Sequence, residues 1–241
     1  MKSDIYNLAI KKHEYWAKRK GVLKKLIDQV IDEISEIEKI DNNKTEIELK
    51  KRASKIKAVW VLSGTGTFKL PLTDVPGDQI YKGKSWGYHS DRDRIELAIK
   101  LIDSIGQCKP YLIYNGIEEQ RIAINQAIES GELSFPRSKL YIPKGEVVKT
   151  LDQVKKLNFP EKYKIGDILV IVTHSAHYPR VLRMLNRYKT IPAKLSVVLY
   201  PAHFKNKKGS KEFTFNEIMG VLGYIALGEA TIKSYKYLKW L

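Results

Sequence analysis

The stretch Asp167-Ile-Leu-Val-Ile-Val-Thr-His-Ser-Ala-His-Tyr-Pro-Arg-Val-Leu-Arg-Met-Leu-Asn-Arg-Tyr188 decides the fold. It opens on an apolar, β-branched run, Ile168 to Val172, which reads as a strand buried on both faces. The run stops at Thr173, His174, Ser175 and His177, and Tyr178 to Tyr188 then follows a helical pattern. Pro179 stands near the start of that helix, where its missing N–H costs little. A buried strand that empties into a polar turn at a helix start is where an α/β fold holds its ligand.

Working outward, strand and helix alternate. Ile56 to Leu62, Tyr111 to Tyr114, Lys139 to Ile142, Ile168 to Val172 and Leu195 to Tyr200 read as strands. Asp91 to Ile105 (capped by Ser90 or Asp91), Glu118 to Ser130, Glu146 to Leu157 and about Asn216 to Leu238 read as helices. The alternation predicts a parallel sheet covered on both faces. Ahead of it, Asp4 to Ile40 has apolar residues at helical spacing, with a break expected at Gly21 and an end at Asp41-Asn42-Asn43. A hydrophilic piece, Thr45 to Lys55, follows. The expected organisation is an N-terminal helical appendage over residues 1–55 and an α/β domain over 56–241.

Composition narrows the functional classes. A hydrophobic content of 43% supports a core and excludes global disorder. The formal net charge of +16 admits nucleic acid as a partner, yet the excess Lys is spread along the chain with acidic residues between. One cysteine, Cys108, excludes an intramolecular disulfide and a Cys-based zinc cluster. The start of the chain is charged and periodic, without the apolar core of a signal peptide. The longest apolar run, Ile218 to Gly228, falls short of the ~20 residues of a membrane helix. The expectation is a cytoplasmic protein with no membrane association and an oligomeric state left open.

In a parallel sheet every strand ends on the same rim. Those ends carry Ser63-Gly64-Thr65-Gly66, Asn115-Gly116, Pro143 to Thr150, Thr173 to Arg180 and His203. Gly64 and Gly66 allow close backbone approach and a nest of N–H groups for an anion. Lys69 stands where a dinucleotide fingerprint has its third glycine, and no phosphate-loop Gly-Lys-Ser/Thr appears. His177 and Arg180, three apart at a helix start, can face one spot, an imidazole for proton transfer beside a guanidinium for an anion. His174 and Ser175 read equally well as helix-capping groups, and no Gly-x-Ser-x-Gly elbow surrounds Ser175. His174, His177 and His203 come without a carboxylate-rich motif, so no metal site is expected. Glu146 and Thr150 open another helix, where a first-turn acid is stabilised by the dipole in any case. The long irregular stretch Phe68 to Ser90, with Trp86, Tyr88 and His89 at its end, reads either as a lid or as a surface insertion.

From about Lys57 to Arg187 the chain resembles the YdcF/SanA/ElyC-like family, a domain of largely unknown function. The resemblance rests on Val-Leu-Ser-Gly-Thr-Gly (Val61 to Gly66), Asp91-Arg92-Asp93-Arg94-Ile95-Glu96-Leu97-Ala98 and Tyr114-Asn115-Gly116. It continues through Glu146 to Gln153 and through Val172-Thr173-His174-Ser175-Ala176-His177-Tyr178-Pro179-Arg180. Asp152 and Gln153 depart from the family's Glu-Asn, and the Phe68 to Ser90 loop is longer. The resemblance implies a Rossmann-like α/β/α sandwich with a five-stranded parallel core in the order 3-2-1-4-5. It also implies a nucleotide-like ligand, S-adenosylmethionine among the candidates, at a switch point that brings Gly64 to Gly66 against Thr173 to Arg180.

The leading expectation is therefore a small-molecule site for a nucleotide-like or phosphorylated ligand, with any transferase or hydrolase reaction unspecified. Its ligand-binding residues are Gly64, Thr65, Gly66, Asp91, Arg94, Asn115, Gly116, Thr150, Thr173, Ser175 and Arg180. His177 and Glu146 are the candidate catalytic groups. The alternatives are a nucleic-acid-binding module on the Lys-rich surface and a partner-binding protein using the N-terminal helices.

Overall fold

The computed structural model describes residues 1–63, 89–106, 109–203 and 207–238. Five strands, β1 (Ile56–Val61), β2 (Tyr111–Tyr114), β3 (Leu140–Tyr141), β4 (Ile168–Val172) and β5 (Ser196–Leu199), pair throughout in parallel. Their order is β3-β2-β1-β4-β5. The fold is therefore α/β and Rossmann-like, as the alternation of elements implies, with the strand order of a three-layer sandwich. Successive strands are added to one side of β1 and then, from β4 on, to the other, so the topological switch point lies between β1 and β4. Residues of β4 are all buried, and in β1 only Lys57 is not, which is why these strands read as continuous apolar runs.

The described helices are α1 (Lys2–Lys12), α2 (Glu14–Ala17), α3 (Lys20–Glu38), α4 (Asn42–Lys51), α5 (His89–Ile105), α6 (Glu118–Glu129), α7 (Thr150–Lys155), α8 (Tyr178–Tyr188) and α9 (Lys207–Ala226). The chain divides into two compact units. The first unites Met1–Ile40, His174–Lys189 and His203–Lys236, so the N-terminal helices pack with α8 and α9. The second holds Asp41–Thr173, Thr190–Ala202 and Tyr237–Leu241, including the whole sheet. The boundary expected at residue 55 thus falls inside the second unit.

In the first unit α3 turns Leu23, Leu26, Ile27, Val30, Ile34 and Ile37 inward at helical spacing. Trp16 is fully buried, and its indole N–H donates to the Leu222 carbonyl at 3.0 Å. Arg183 of α8 is also fully buried, donating to both Glu33 oxygens at 2.6 and 3.1 Å and to the Ser234 hydroxyl at 2.9 Å. In the second unit α5 packs Ile95, Ala98, Leu101 and Ile102 into a core shared with Val59, Val61, Leu112, Val170 and Val172.

Several helix boundaries differ from the sequence expectation. The first break falls at His13 and the next at Lys18–Arg19, leaving Gly21 inside the first turn of α3. Asp41 starts a helix as well as following one: its carboxylate accepts from the Asn43 and Lys44 amides, capping α4 across the piece read as irregular. The helix expected from Glu146 begins at Thr150. Gly145 sits at φ +102°, and the Asp152 carboxylate accepts from the Val148 and Lys149 amides, so capping falls three residues later. The α5 helix already includes Ser90 and Asp91, which are in its first turn and not at its cap. The last helix ends at Ala226 instead of continuing to Leu238. Gly228 at φ +73° turns the chain, the Glu229 and Ala230 amides close on the Tyr224 carbonyl, and Leu238 then bridges to Val198. No helix among the described residues is long and apolar enough to cross a membrane.

Candidate functional site: buried polar groups at the sheet rim

Strands β1 and β2 end side by side, with Val61 in register with Tyr114. Their last apolar residues are followed at once by fully buried polar ones, Ser63 and Asn115. The Trp60 indole donates to Asn115 Oδ1 at 2.9 Å, and Asn115 Nδ2 donates to the Gln153 carbonyl at 2.7 Å. The Gln153 side chain reaches from α7 to the end of β1, accepting from the Ser63 amide at 3.1 Å and donating to the Ser63 carbonyl at 3.0 Å. One amide thus replaces the strand partner that Ser63 lacks. The Ser63 hydroxyl is buried and has no hydrogen-bond partner among the described residues.

A second cluster lies at the end of β2. Asp91 is fully buried at the start of α5, and its carboxylate accepts from the Arg94 guanidinium. It also accepts from the Tyr114 hydroxyl and the Gln120 amide, both at 2.9 Å. Burial raises the Tyr114 pKa above its ordinary value, against the opposing pull of the Arg94 charge, so the hydroxyl remains a donor. Gln120 Oε1 in turn accepts from the Ile117 amide at 3.0 Å. Gly116 is needed for this close approach: a Cβ there would stand 2.6 Å from Gln120 Oε1 and 3.0 Å from the Tyr114 hydroxyl. Thr150 and Thr173 are buried as well. Glu146 is exposed in the loop before α7, where its backbone carbonyl accepts from Lys156.

Gly64, Thr65 and Gly66 lie outside the described residues, as do Cys108 and residues 68–88 of the long loop. The stretch from Thr173 to Arg180 divides between the two units after Thr173, and its polar groups from His174 on belong to the first unit.

There, the 3-10 turn Ser175–His177 leads directly into α8, with Pro179 in the first turn. Ser175, His177 and Arg180 are all buried. Arg180 meets Glu217 of α9 in a bidentate pair, Nε to Oε2 at 2.8 Å and one terminal nitrogen to Oε1 at 2.9 Å. The same terminal nitrogen lies 3.0 Å from His177 Nε2. A guanidinium has only donors, so Nε2 is the acceptor and the neutral ring carries its proton on Nδ1. The guanidinium also rests about 5.9 Å from the Tyr224 ring centroid, and Gly220 makes room for its stem. The expected proximity of His177 and Arg180 is present. Their setting differs from an open anion clamp, because Glu217 balances the Arg180 charge.

Sequence reasoning missed Glu217, Trp60 and Gln120 as polar partners, placed Ser63 at the rim without a role, and met Gln153 only as a departure from a family pattern. A buried Trp beside Asn and a Gln at a helix start carry no signal until the strand ends are brought together.

No protein-family model matches the sequence, and neither a curated protein nor a solved structure matches it. The class established is a Rossmann-like α/β protein with an all-parallel five-stranded sheet.

Proposed function

We propose that this chain is a YdcF-like protein that binds a small nucleotide-like or phosphorylated ligand at the carboxyl-terminal rim of its sheet. One observation carries the reading. Three of the sequence stretches behind the family resemblance, at residues 91–98, 114–116 and 146–153, meet in one hydrogen-bonded region of the second unit. Tyr114 reaches Asp91, and Asn115 reaches the Gln153 backbone.

Burying polar groups is costly unless they are paired. Here that cost is concentrated at one rim of a sheet whose strands are otherwise apolar, the side on which open α/β sheets take their ligands. Most of the groups position one another. Ser63, whose hydroxyl has no hydrogen-bond partner among the described residues, is the residue best suited to meet a ligand. The β2 end carries Asn115, already engaged on both sides of its amide, so nothing at this position selects adenosylmethionine over other nucleotide-like ligands. No reaction is assigned. A cytoplasmic setting belongs to the same reading, since a chain with one cysteine makes no use of an oxidising compartment.

The test is a thermal-shift screen with nucleotides, adenosylmethionine and sugar phosphates on wild type and Ser63→Ala. A ligand at a hundredfold its Kd stabilises by about 2.7 kcal/mol, which for a chain of this size raises Tm by roughly 5–10 °C. The shift should shrink in Ser63→Ala while the ligand-free Tm is unchanged or higher. No shift with any class overturns the reading, and an equal shift in the variant moves the ligand elsewhere.

A further inference from the structure

The opposite edge of the sheet has a chemistry of its own. At the amino-terminal ends of β1, β2 and β3 a groove of about 480 Å³ is lined by Ile56, Lys57, Lys109, Tyr111, Lys139 and Glu161, among others. Lys109 is paired with Asp103 at 2.9 Å. Lys57 donates to the Ser54 carbonyl at 3.0 Å, and Lys139 lies over the Tyr111 ring, 4.6 Å from its centroid. Among the described residues neither of these two ammonium groups has a carboxylate partner, and Glu161 lies against the Tyr111 hydroxyl, so three lining lysines face one lining carboxylate and the groove keeps excess positive charge.

The charge continues along the edge. Lys164 precedes β4 and Lys194 precedes β5, both exposed, and the Gly166 amide donates to the Lys194 carbonyl at 3.3 Å. In the order of the strands the edge carries Lys139, Lys109, Lys57, Lys164 and Lys194, four of them within two residues of a strand start and Lys164 four residues before β4, with Asp167 between. With strands about 4.8 Å apart, such a row spans roughly 19 Å. A single phosphate needs one or two of these groups. A row of this length matches a linear polyanion, and the aromatic wall formed by Tyr111 suits an unstacked base.

We infer that the amino-terminal edge of the sheet is a binding groove for single-stranded nucleic acid. Phosphates would run along the lysine row, and a base would enter the groove beside Tyr111. A positively charged groove combined with an aromatic platform is the general design for binding single strands without sequence preference. A duplex keeps its bases stacked and would use the lysines alone. The net charge of +16 adds long-range attraction. This surface lies away from the carboxyl-terminal rim, so it stands or falls separately from the ligand proposed there.

The test is fluorescence anisotropy with a labelled fifteen-nucleotide oligothymidylate and the matching duplex, read from about 50 to 200 mM salt. Wild type should bind the single strand more tightly, with affinity falling steeply as salt rises. Lys57→Gln/Lys139→Gln should weaken it about tenfold and reduce the salt slope by about 1.4, the equivalent of two phosphate contacts. Tyr111→Leu should weaken the single strand about tenfold and leave the duplex unchanged. Lys24→Glu/Lys25→Glu, on the exposed face of α3, should stay within about twofold of wild type. Melting curves on each variant confirm folding, and the mild Gln pair guards against a charge reversal that unfolds the edge. Absence of binding at 50 mM salt overturns the proposal. So does an equal loss from the α3 pair, or equal competition by duplex, heparin or anionic vesicles, which would make the edge a generic polyanion surface.

Discussion

Removing one partner of the Arg180–Glu217 pair should be among the most damaging single changes in the first unit. The Arg180 side chain is 10% exposed and that of Glu217 2%, and two charge-assisted hydrogen bonds of 2.8 and 2.9 Å join them. At about 4 Å between charge centres and an effective dielectric constant near 20, their attraction is about 4 kcal/mol. Glu217→Ala leaves a guanidinium buried with His177 and the Tyr224 ring but no countercharge, and should cost about 3–5 kcal/mol. Arg180→Ala takes the guanidinium away from a buried carboxylate and should cost about as much. The paired replacement Arg180→Met/Glu217→Leu removes both charges while keeping most of the volume, and should recover most of the loss. Urea denaturation followed by circular dichroism reads the effect directly, with single-variant midpoints about 1–2 M below wild type. A double variant as unstable as the sum of the singles, or a single that costs under about 1 kcal/mol, would refute the view of this pair as a desolvated, mutually dependent unit.

Other consequences follow from particular contacts. Burial pushes the Tyr200 hydroxyl up to about 12, the Glu46 carboxylate beside it adding to the effect, and it raises the pKa values of Tyr114 and Tyr163 as well. The stability these groups contribute is complete below the unfolded value near 10 and falls as pH rises towards 12, by about 1.4 kcal/mol per unit for each suppressed ionisation. A urea midpoint that stays level from pH 10 to 12 would contradict this, and Tyr200→Phe should flatten the decline. Gly220→Ala should fail to give the usual helical gain of about 0.5–1 kcal/mol, because the new Cβ would sit 3.1 Å from Arg180 Cδ; a Tm increase would show that Arg180 yields easily. Gln153→Ala leaves the Ser63 amide and carbonyl buried without their partner and should cost about 2–5 kcal/mol by urea titration. Gln153→Glu should not rescue it, since a carboxylate cannot donate to the Ser63 carbonyl.

The sheet was legible because its strands are short, apolar and β-branched. Tyr111–Tyr114 and Ile168–Val172 coincide with the strands read from sequence, and the helix from Tyr178 to Tyr188 does too. Boundaries set by side-chain capping were harder. Asp41-Asn42-Asn43 serves as a turn and as a helix start, and nothing local distinguishes the roles until the Asp41 carboxylate meets the amides of Asn43 and Lys44. The site was legible as a set of polar residues at strand ends and opaque as a network. Glu217 stands 37 residues from the Arg180 it neutralises, in a helix whose sequence gives no sign of an inward-facing acid. His177 and Arg180 were found together because their three-residue spacing is local, whereas the partner that sets their charge is not.

The interleaved first unit imposes an order on the molecule's assembly. Its helices α1 to α3 leave the ribosome before α9, yet the carbonyl that receives the Trp16 indole belongs to Leu222, 206 residues later. At roughly 5–20 residues per second, those helices wait about 10–40 s for the chain that completes their packing. Residues 41–173 contain four of the five strands and appear in that interval, able to begin pairing before α9 exists. During synthesis the apolar surface around Trp16 and α1, which packs with α9, therefore waits longest for its partner, and a ribosome-bound chaperone has that time to meet it.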